Sequence, residues 1–340
     1  MPRGFVSFER KVLPLEQRPL HVSYPKADFW SESEIILCPL KVRSSGFIED
    51  QSDEALEVDF ANRYLGGGAL KRGCVQEEIR FMINPELIAG MLFLPCMEDN
   101  EAIEIVGAER FSNYTGYASS FRFSGNHMDN RDFDSLRRRK TKLIAIDALS
   151  NPGMRQYELK CLLRETNKAF CGFLDHSKFD CWQILFQENE RQEAQNKKDH
   201  EESRLPSSLD KAPPTSVEIE ITEEESISQD DKERIGIVTG NWGCGAFGGD
   251  PELKTIIQWL AASQALRPYI LYYTFGIEAL QNLDQVSQWI LSHGWTVGEL
   301  WNMLLAYSSQ RCSQETNMGF FTWLLPQSLD DTDMSLKQDF

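Results

Sequence analysis

The stretch "ALEVDFANRYLGGGALKRGCVQEEIRF", residues 55–81, decides the fold. Its first seven residues form a compact apolar, β-prone run that reads as a strand. Three consecutive glycines, Gly66, Gly67 and Gly68, then open a loop, and from Gln76 onward the apolar residues recur with helical spacing through about residue 92. Strand, glycine loop and helix in this order imply an α/β unit. Consecutive glycines permit positive φ and let main-chain N–H groups approach a ligand closely. The pattern is not G-x-G-x-x-G, and no Lys-Ser/Thr follows it, so neither a dinucleotide fingerprint nor a P-loop is present. Glu77 and Glu78 sit in the first helical turn. A phosphate cradle accounts for the glycines but not the acids, and a glycosidase accounts for the acids but not the glycines. A substrate with both phosphates and a glycosidic bond accounts for both. Each feature also has a plainer reading, since glycines make tight turns and acids in a first turn stabilise a helix against its macrodipole. That dipole favours the ionised acid, whereas a general acid must hold a proton near neutral pH.

Outward from this segment the alternation continues. Residues 102–109, 142–149, 235–240 and 269–276 read as strands, and 155–174, 251–266, 278–291 and 296–310 as helices. The expected fold is an α/β mixed sheet flanked by helices, with a mostly helical C-terminal part. Residues 187–233 stand apart, being charged, proline-containing and nearly free of aromatics. They read as a disordered acidic insertion within one domain, because they cannot bury enough apolar surface to offset ordering entropy.

The chain has 340 residues, enough for one large domain or two modest ones, and a formal net charge of −17. Fifteen acids against seven bases between Glu188 and Arg234 account for about half of that charge. Such a balance argues against general nucleic-acid binding, which neutralises phosphates with Lys and Arg. The only strongly basic run, "SLRRRKTK" at 135–142, reads as a solvated strand entrance, a nuclear localisation signal or a contact for a polyanion. Eight cysteines without a C-x-x-C pair read as reduced thiols of a cytosolic or nuclear protein. The five histidines form no cluster at ligand spacing, so no metal site is expected. The N-terminal residues carry charges where a signal peptide needs an apolar core, and the longest apolar run is too short to span a bilayer.

A second glycine loop, "GNWGCGAFGGD" at 240–250, lies between a strand and a helix. That arrangement points N–H groups at a phosphate without requiring a basic surface. Tyr114 and Tyr117 in "SNYTGYA" and Phe275 in "YYTFG" are loop or strand-end aromatics, which serve either as rim packing or as stacking surfaces for a nucleoside.

These blocks together resemble the poly(ADP-ribose) glycohydrolases: "GGGALKRGCVQEE", "VDFANRYLGGG", "FSNYTGYA", "NKAFCGF", "TGNWGCGAFGGD" and "YYTFG" occur in that family's order. The resemblance covers about residues 5–325 apart from the insertion. It implies a macrodomain-like catalytic domain at 47–330, an N-terminal segment at 1–46 that is the remnant of a longer helical region, and a tail at 331–340. It also implies hydrolysis of the ribose–ribose O-glycosidic bond of poly(ADP-ribose), without metal or organic cofactor. The alternative is an inactive ADP-ribose reader lacking that N-terminal region. By motif position Glu78 is the acid/base, Glu77 holds the neighbouring ribose hydroxyl, and Asp59 and Asn62 organise the loop and meet the distal ribose. Gly66–Gly68 and the loop of Asn241, Gly243, Cys244, Gly245, Ala246 and Phe247 are expected around the diphosphate. Ile48, Glu49, Gln76 and Tyr117 are expected at the adenine, with Phe247 and Phe275 holding the terminal ribose and adenosine. The implied partners are ADP-ribose, its polymer and poly-ADP-ribosylated proteins, in nucleus or cytoplasm, with neither sequence-specific DNA binding nor a membrane.

Overall fold

The computed structural model describes residues 4–13, 24–51, 54–175 and 235–325. The acidic insertion and the C-terminal tail lie outside the described residues. Nine strands are described: β1 Ser7–Val12, β2 Leu40–Arg43, β3 Ala55–Ala61, β4 Glu101–Val106, β5 Ser112–Thr115, β6 Arg122–Asn126, β7 Lys142–Asp147, β8 Gly236–Gly240 and β9 Ile270–Tyr273. Seven of them form one mixed sheet in the order β1-β4-β7-β3-β8-β9-β2, and β5 and β6 pair separately as a two-stranded ribbon. From β7 to β2 all neighbours are parallel, whereas β4 runs antiparallel to both β7 and β1.

Parallel strands covered on both faces read as continuous apolar runs, and β3, β7 and β8 are almost wholly buried. Alternate residues of β7 serve opposite layers. Leu143 and Ala145 join Phe81, Leu87, Ile103 and Ile105 in a core beneath helix α2, Gln76–Ile83. Ile144 and Ile146 face helix α3, Leu159–Phe173, so closely that a Cβ on Gly172 would lie 2.9 Å from each. Helix α4, Pro251–Gln264, packs on α3. The remaining helices are α1 Ala27–Ser31, α5 Leu283–Ser292, α6 Val297–Cys312 and α7 Phe320–Leu324. The expected mixed sheet with flanking helices is therefore observed, and four of the six elements after β8 are helices, as expected of the C-terminal part. No helix among the described residues is long and apolar enough to cross a membrane.

Three elements differ from expectation. The helix over 76–92 ends at Ile83, because Pro85 disfavours helical backbone at Asn84 and offers no N–H, and a 3-10 segment Pro85–Leu92 follows. The strand over 269–276 stops at Tyr273, where the chain turns through Phe275 at φ +51°. The "SNYTGYA" loop is the first half of the β5–β6 ribbon. The segment ahead of residue 47 contributes both edge strands of the sheet, β1 and β2. Buried Lys11 ties β1 inward, its Nζ reaching Glu104 at 2.7 Å and the carbonyls of Gly172 and Leu174.

Candidate active site

The first turn of α2 is a knot of hydrogen bonds from acid side chains to the glycine loop. Glu77 accepts from the amides of Asn62 (2.9 Å) and Gly66 (2.6 Å), and Glu78 from those of Gly68 (2.9 Å) and Val75 (3.0 Å). The Gly67 amide donates to the Tyr64 carbonyl, and the Asn62 side chain accepts from the Tyr64 amide. The three glycine amides are thus engaged inside the loop, which corrects the expectation that they face a diphosphate. Their smallness has another cause. Gly67 has φ +46°, and a Cβ there would lie 2.7 Å from Glu77 Oε2 and 2.8 Å from Glu78 Oε1. A Cβ on Gly73 would meet Glu78 Cδ at 2.6 Å. The glycines let the main chain lie against two carboxylates and aim them.

Asp59, Glu77 and Glu78 are all buried, at 1%, 2% and 7% exposure. Both Asp59 oxygens lack a hydrogen-bond partner among the described residues. Burial raises its pKa to about 7, Arg80 opposing and Glu78 adding to the rise. Burial, with Asp59 next, likewise lifts Glu77 well above the usual carboxylate range against its two amide donors. Two buried acids beside Glu78 are thus shifted toward their protonated forms. One turn along α2, buried Arg80 pairs with Glu57 at 2.6 Å, and Glu57 in turn binds Arg131 at 2.7 Å. Arg131 also donates to the carbonyls of Glu49 and Gln51, so this ion-pair chain fixes the turn carrying Ile48 and Glu49.

Beside this knot lies a cavity of roughly 650 Å³, within the range of small-molecule sites. Of the expected residues, Ile48, Glu49, Gln76, Tyr117, Asn241, Gly243, Cys244, Gly245, Ala246, Phe247 and Phe275 line it. Asp59, Asn62, Gly66, Gly67, Gly68, Glu77 and Glu78 do not, although their neighbours Ala61, Val75, Gln76 and Ile79 do. Gln76 spends its side-chain amide on the β3 main chain, accepting from Phe60 N and donating to Val58 O. Its own N–H donates to the Tyr117 hydroxyl at 3.1 Å. Tyr114, read as rim packing or a nucleoside-stacking surface, lines it too; Phe47, Phe60, Ala148 and Ile277 also line the cavity and were missed, although each adjoins a predicted block. The Phe47 and Tyr114 rings lie 4.9 Å apart, and Tyr114 lies 5.5 Å from Phe121.

The second glycine loop also lines the cavity. Asp250 caps α4 by accepting from Glu252 N and Leu253 N, so the helix terminus expected to face a phosphate is already satisfied. The open donors lie earlier in the loop. The amides of Gly243, Gly245, Ala246 and Phe247 have no acceptor among the described residues. Successive free amides of this kind form an anion-binding concavity. Asn241 braces the loop, donating to Thr274 O and accepting from the Tyr272 hydroxyl. Phe275 is 46% exposed at the rim and stacks on Tyr273 at 5.9 Å. Its positive φ is unusual for an aromatic residue and costs of order 1–3 kcal/mol.

Comparison with known proteins supports the same reading of the motifs. A family model described as "Poly (ADP-ribose) glycohydrolase (PARG), Macro domain fold" matches residues 27–282. The chain is 57% identical to "Poly(ADP-ribose) glycohydrolase 1" of Arabidopsis thaliana, covering 99% of this chain and 62% of the relative. It is 54% identical to that plant's "Probable poly(ADP-ribose) glycohydrolase 2", over 96% of this chain and 59% of the relative. A Caenorhabditis elegans protein, "Poly(ADP-ribose) glycohydrolase 2", is 32% identical over 81% of this chain and 47% of its own length. The chain thus spans about three fifths of the plant relatives.

Proposed function

The chain belongs to the poly(ADP-ribose) glycohydrolase family, with its macrodomain fold, and from that membership we propose that it hydrolyses the ribose–ribose O-glycosidic bonds of poly(ADP-ribose) and releases ADP-ribose. The observation that carries the reading is the placement of Glu78: two main-chain amides orient its carboxylate in the helical turn whose residues Val75, Gln76 and Ile79 line a cavity, and that cavity is also lined by a loop with four amides unpaired among the described residues.

In this reading the diphosphate lies on the amides of Gly243 and Gly245–Phe247. The adenine enters between the Ile48–Glu49 turn and Tyr117, and Phe275 and Phe247 hold the adenosine and the terminal ribose. Glu78, in its acid form, gives its proton to the bridging oxygen as the anomeric C–O bond breaks and the ribose takes on oxocarbenium character. The resulting carboxylate then takes a proton from the water that attacks the anomeric carbon, regenerating the acid. Burial raises Asp59 to about 7 and Glu77 above the usual carboxylate range, which lessens the negative charge near the diphosphate at neutral pH. The physiological substrates in this reading are poly-ADP-ribosylated proteins, met in nucleus or cytoplasm.

Incubation with poly(ADP-ribose), followed by chromatography for free ADP-ribose, tests the proposal. Glu78→Gln should lower turnover by about 10²–10⁴-fold while polymer binding persists. Binding by both proteins with product from neither overturns it.

A further inference from the structure

In the proposed reaction one ADP-ribose stays in the cavity and the rest of the polymer leaves, its nearest diphosphate one ribose ring away from the broken bond. No residue from Ala69 to Cys74 lines the cavity, yet this stretch is closed directly onto Glu78. The Gly68 carbonyl accepts from the amides of Lys71 (2.8 Å) and Gly73 (3.1 Å), while the Gly68 amide donates to Glu78 Oε1 at 2.9 Å. A Cβ on Gly68 would lie 3.0 Å from Gly73 N, and one on Gly73 would lie 2.6 Å from Glu78 Cδ. Gly68 and Gly73 thus form a pinched neck against the carboxylate, and the residues between them form a tip. Leu70, Lys71 and Arg72 are exposed there. Neither cation has an ion-pair or hydrogen-bond partner for its side chain among the described residues. The basic run at 135–142 is different, because its charges are largely spent. Arg138 pairs with Asp134, Arg139 with Glu109, and both Lys140 and Lys142 with Glu54.

We propose that the tip of the first glycine loop is a subsite for the diphosphate of the leaving polymer unit, held by Lys71 and Arg72. The inference rests on the reading that Glu78 protonates the bond between that unit and the ADP-ribose in the cavity. The leaving unit's phosphates stay in solvent outside the cavity, where cations free of carboxylate partners can meet them and release their counterions. The neck fixes where the tip begins relative to Glu78, so the contacts that aim the acid also place the cations within a side chain's length of the bond. Lysine supplies a mobile point charge and arginine a planar fork, a combination suited to a flexible polyanion. The subsite is also selective. A substrate with a second diphosphate gains from it, whereas a single ADP-ribose held in the cavity does not.

The experiment measures initial rates of ADP-ribose release from poly(ADP-ribose) over a series of salt concentrations, with ADP-ribose binding followed by calorimetry, all on the full chain. It compares the wild type with the double variant Lys71→Gln/Arg72→Gln and with the charge-keeping exchange Lys71→Arg/Arg72→Lys. The glutamine variant should raise KM for the polymer about tenfold, with kcat and the affinity for ADP-ribose retained. Its plot of log kcat/KM against log salt should be shallower by roughly 0.7 per cation removed, a change that a purely structural role would not produce. The exchange should keep most of the wild-type KM and slope. A glutamine variant with the wild-type KM and salt slope overturns the subsite. A fall in kcat at unchanged KM overturns it too, since the tip would then act through the aim of Glu78. A wild type that binds ADP-ribose but releases none from the polymer overturns the underlying reading, and the subsite with it.

Discussion

Asp59 shows how a single residue can set the pH response of the whole protein. Its carboxyl is buried without a hydrogen-bond partner among the described residues, and its pKa is raised to about 7 in the folded state, against about 3.9 in an unfolded chain. A raised acid binds its proton more tightly when folded, so its contribution is complete below about pH 4 and is lost as pH climbs through 7. Above that range the difference costs about 4 kcal/mol. Asp59→Asn should therefore gain stability relative to the wild type progressively between pH 4 and 7, as read from urea midpoints across that range. The slope of that difference is the diagnostic quantity, because an asparagine amide brings hydrogen-bonding needs of its own. Parallel curves for the two proteins would show that Asp59 is ionised in the native state.

Among the elements, the junction of the first glycine loop with α2 converts sequence into aim. Gly73 does not have a positive φ, and the three atoms nearest a Cβ there all belong to the Glu78 side chain, at 2.6 Å, so alanine would press on that side chain. Gly73→Ala should shift that carboxylate and lower kcat by roughly 10²-fold, while the thermal midpoint moves by only a few degrees. A turnover unchanged by the substitution would mean that the position of Glu78 is not set by this contact.

The elements also show what the sequence discloses. The buried strands β3, β4, β7, β8 and β9 were legible because both faces are covered and their apolar runs are continuous. The edge strands "SFERKV" and "LKVR" were not, since half-exposed edges admit charges that hide the pattern. The motif residues were legible by resemblance, and the glycine–acid pairing posed the right question. The buried ions were illegible: Glu57, Arg80, Lys254 and Glu165 look like surface residues until partners distant in sequence neutralise them.

For the molecule as a whole, one sheet carries the site at the C-terminal ends of its parallel strands. The segments leaving β3, β8 and β9 bring the acid knot, the open amides and the rim aromatic together, as parallel α/β sheets generally place their ligands. One wall, however, belongs to no such scaffold. The β5–β6 ribbon has only two strands, and such ribbons are marginal by themselves. Its tip reaches the knot through the Ala118 amide, which donates to Cys74 O, and the Tyr117 hydroxyl, which accepts from the Gln76 amide. Opening this ribbon would release Tyr117 and Tyr114 without disturbing the main core. Amide deuterium uptake should accordingly be fastest at 112–126 in the free protein and slow on saturation with ADP-ribose, by a protection factor that grows with ligand concentration. Uptake there as slow as in β7, with or without nucleotide, would make the ribbon part of the rigid frame; otherwise occupancy and local order are one equilibrium, and a tight ligand is also a structural clasp.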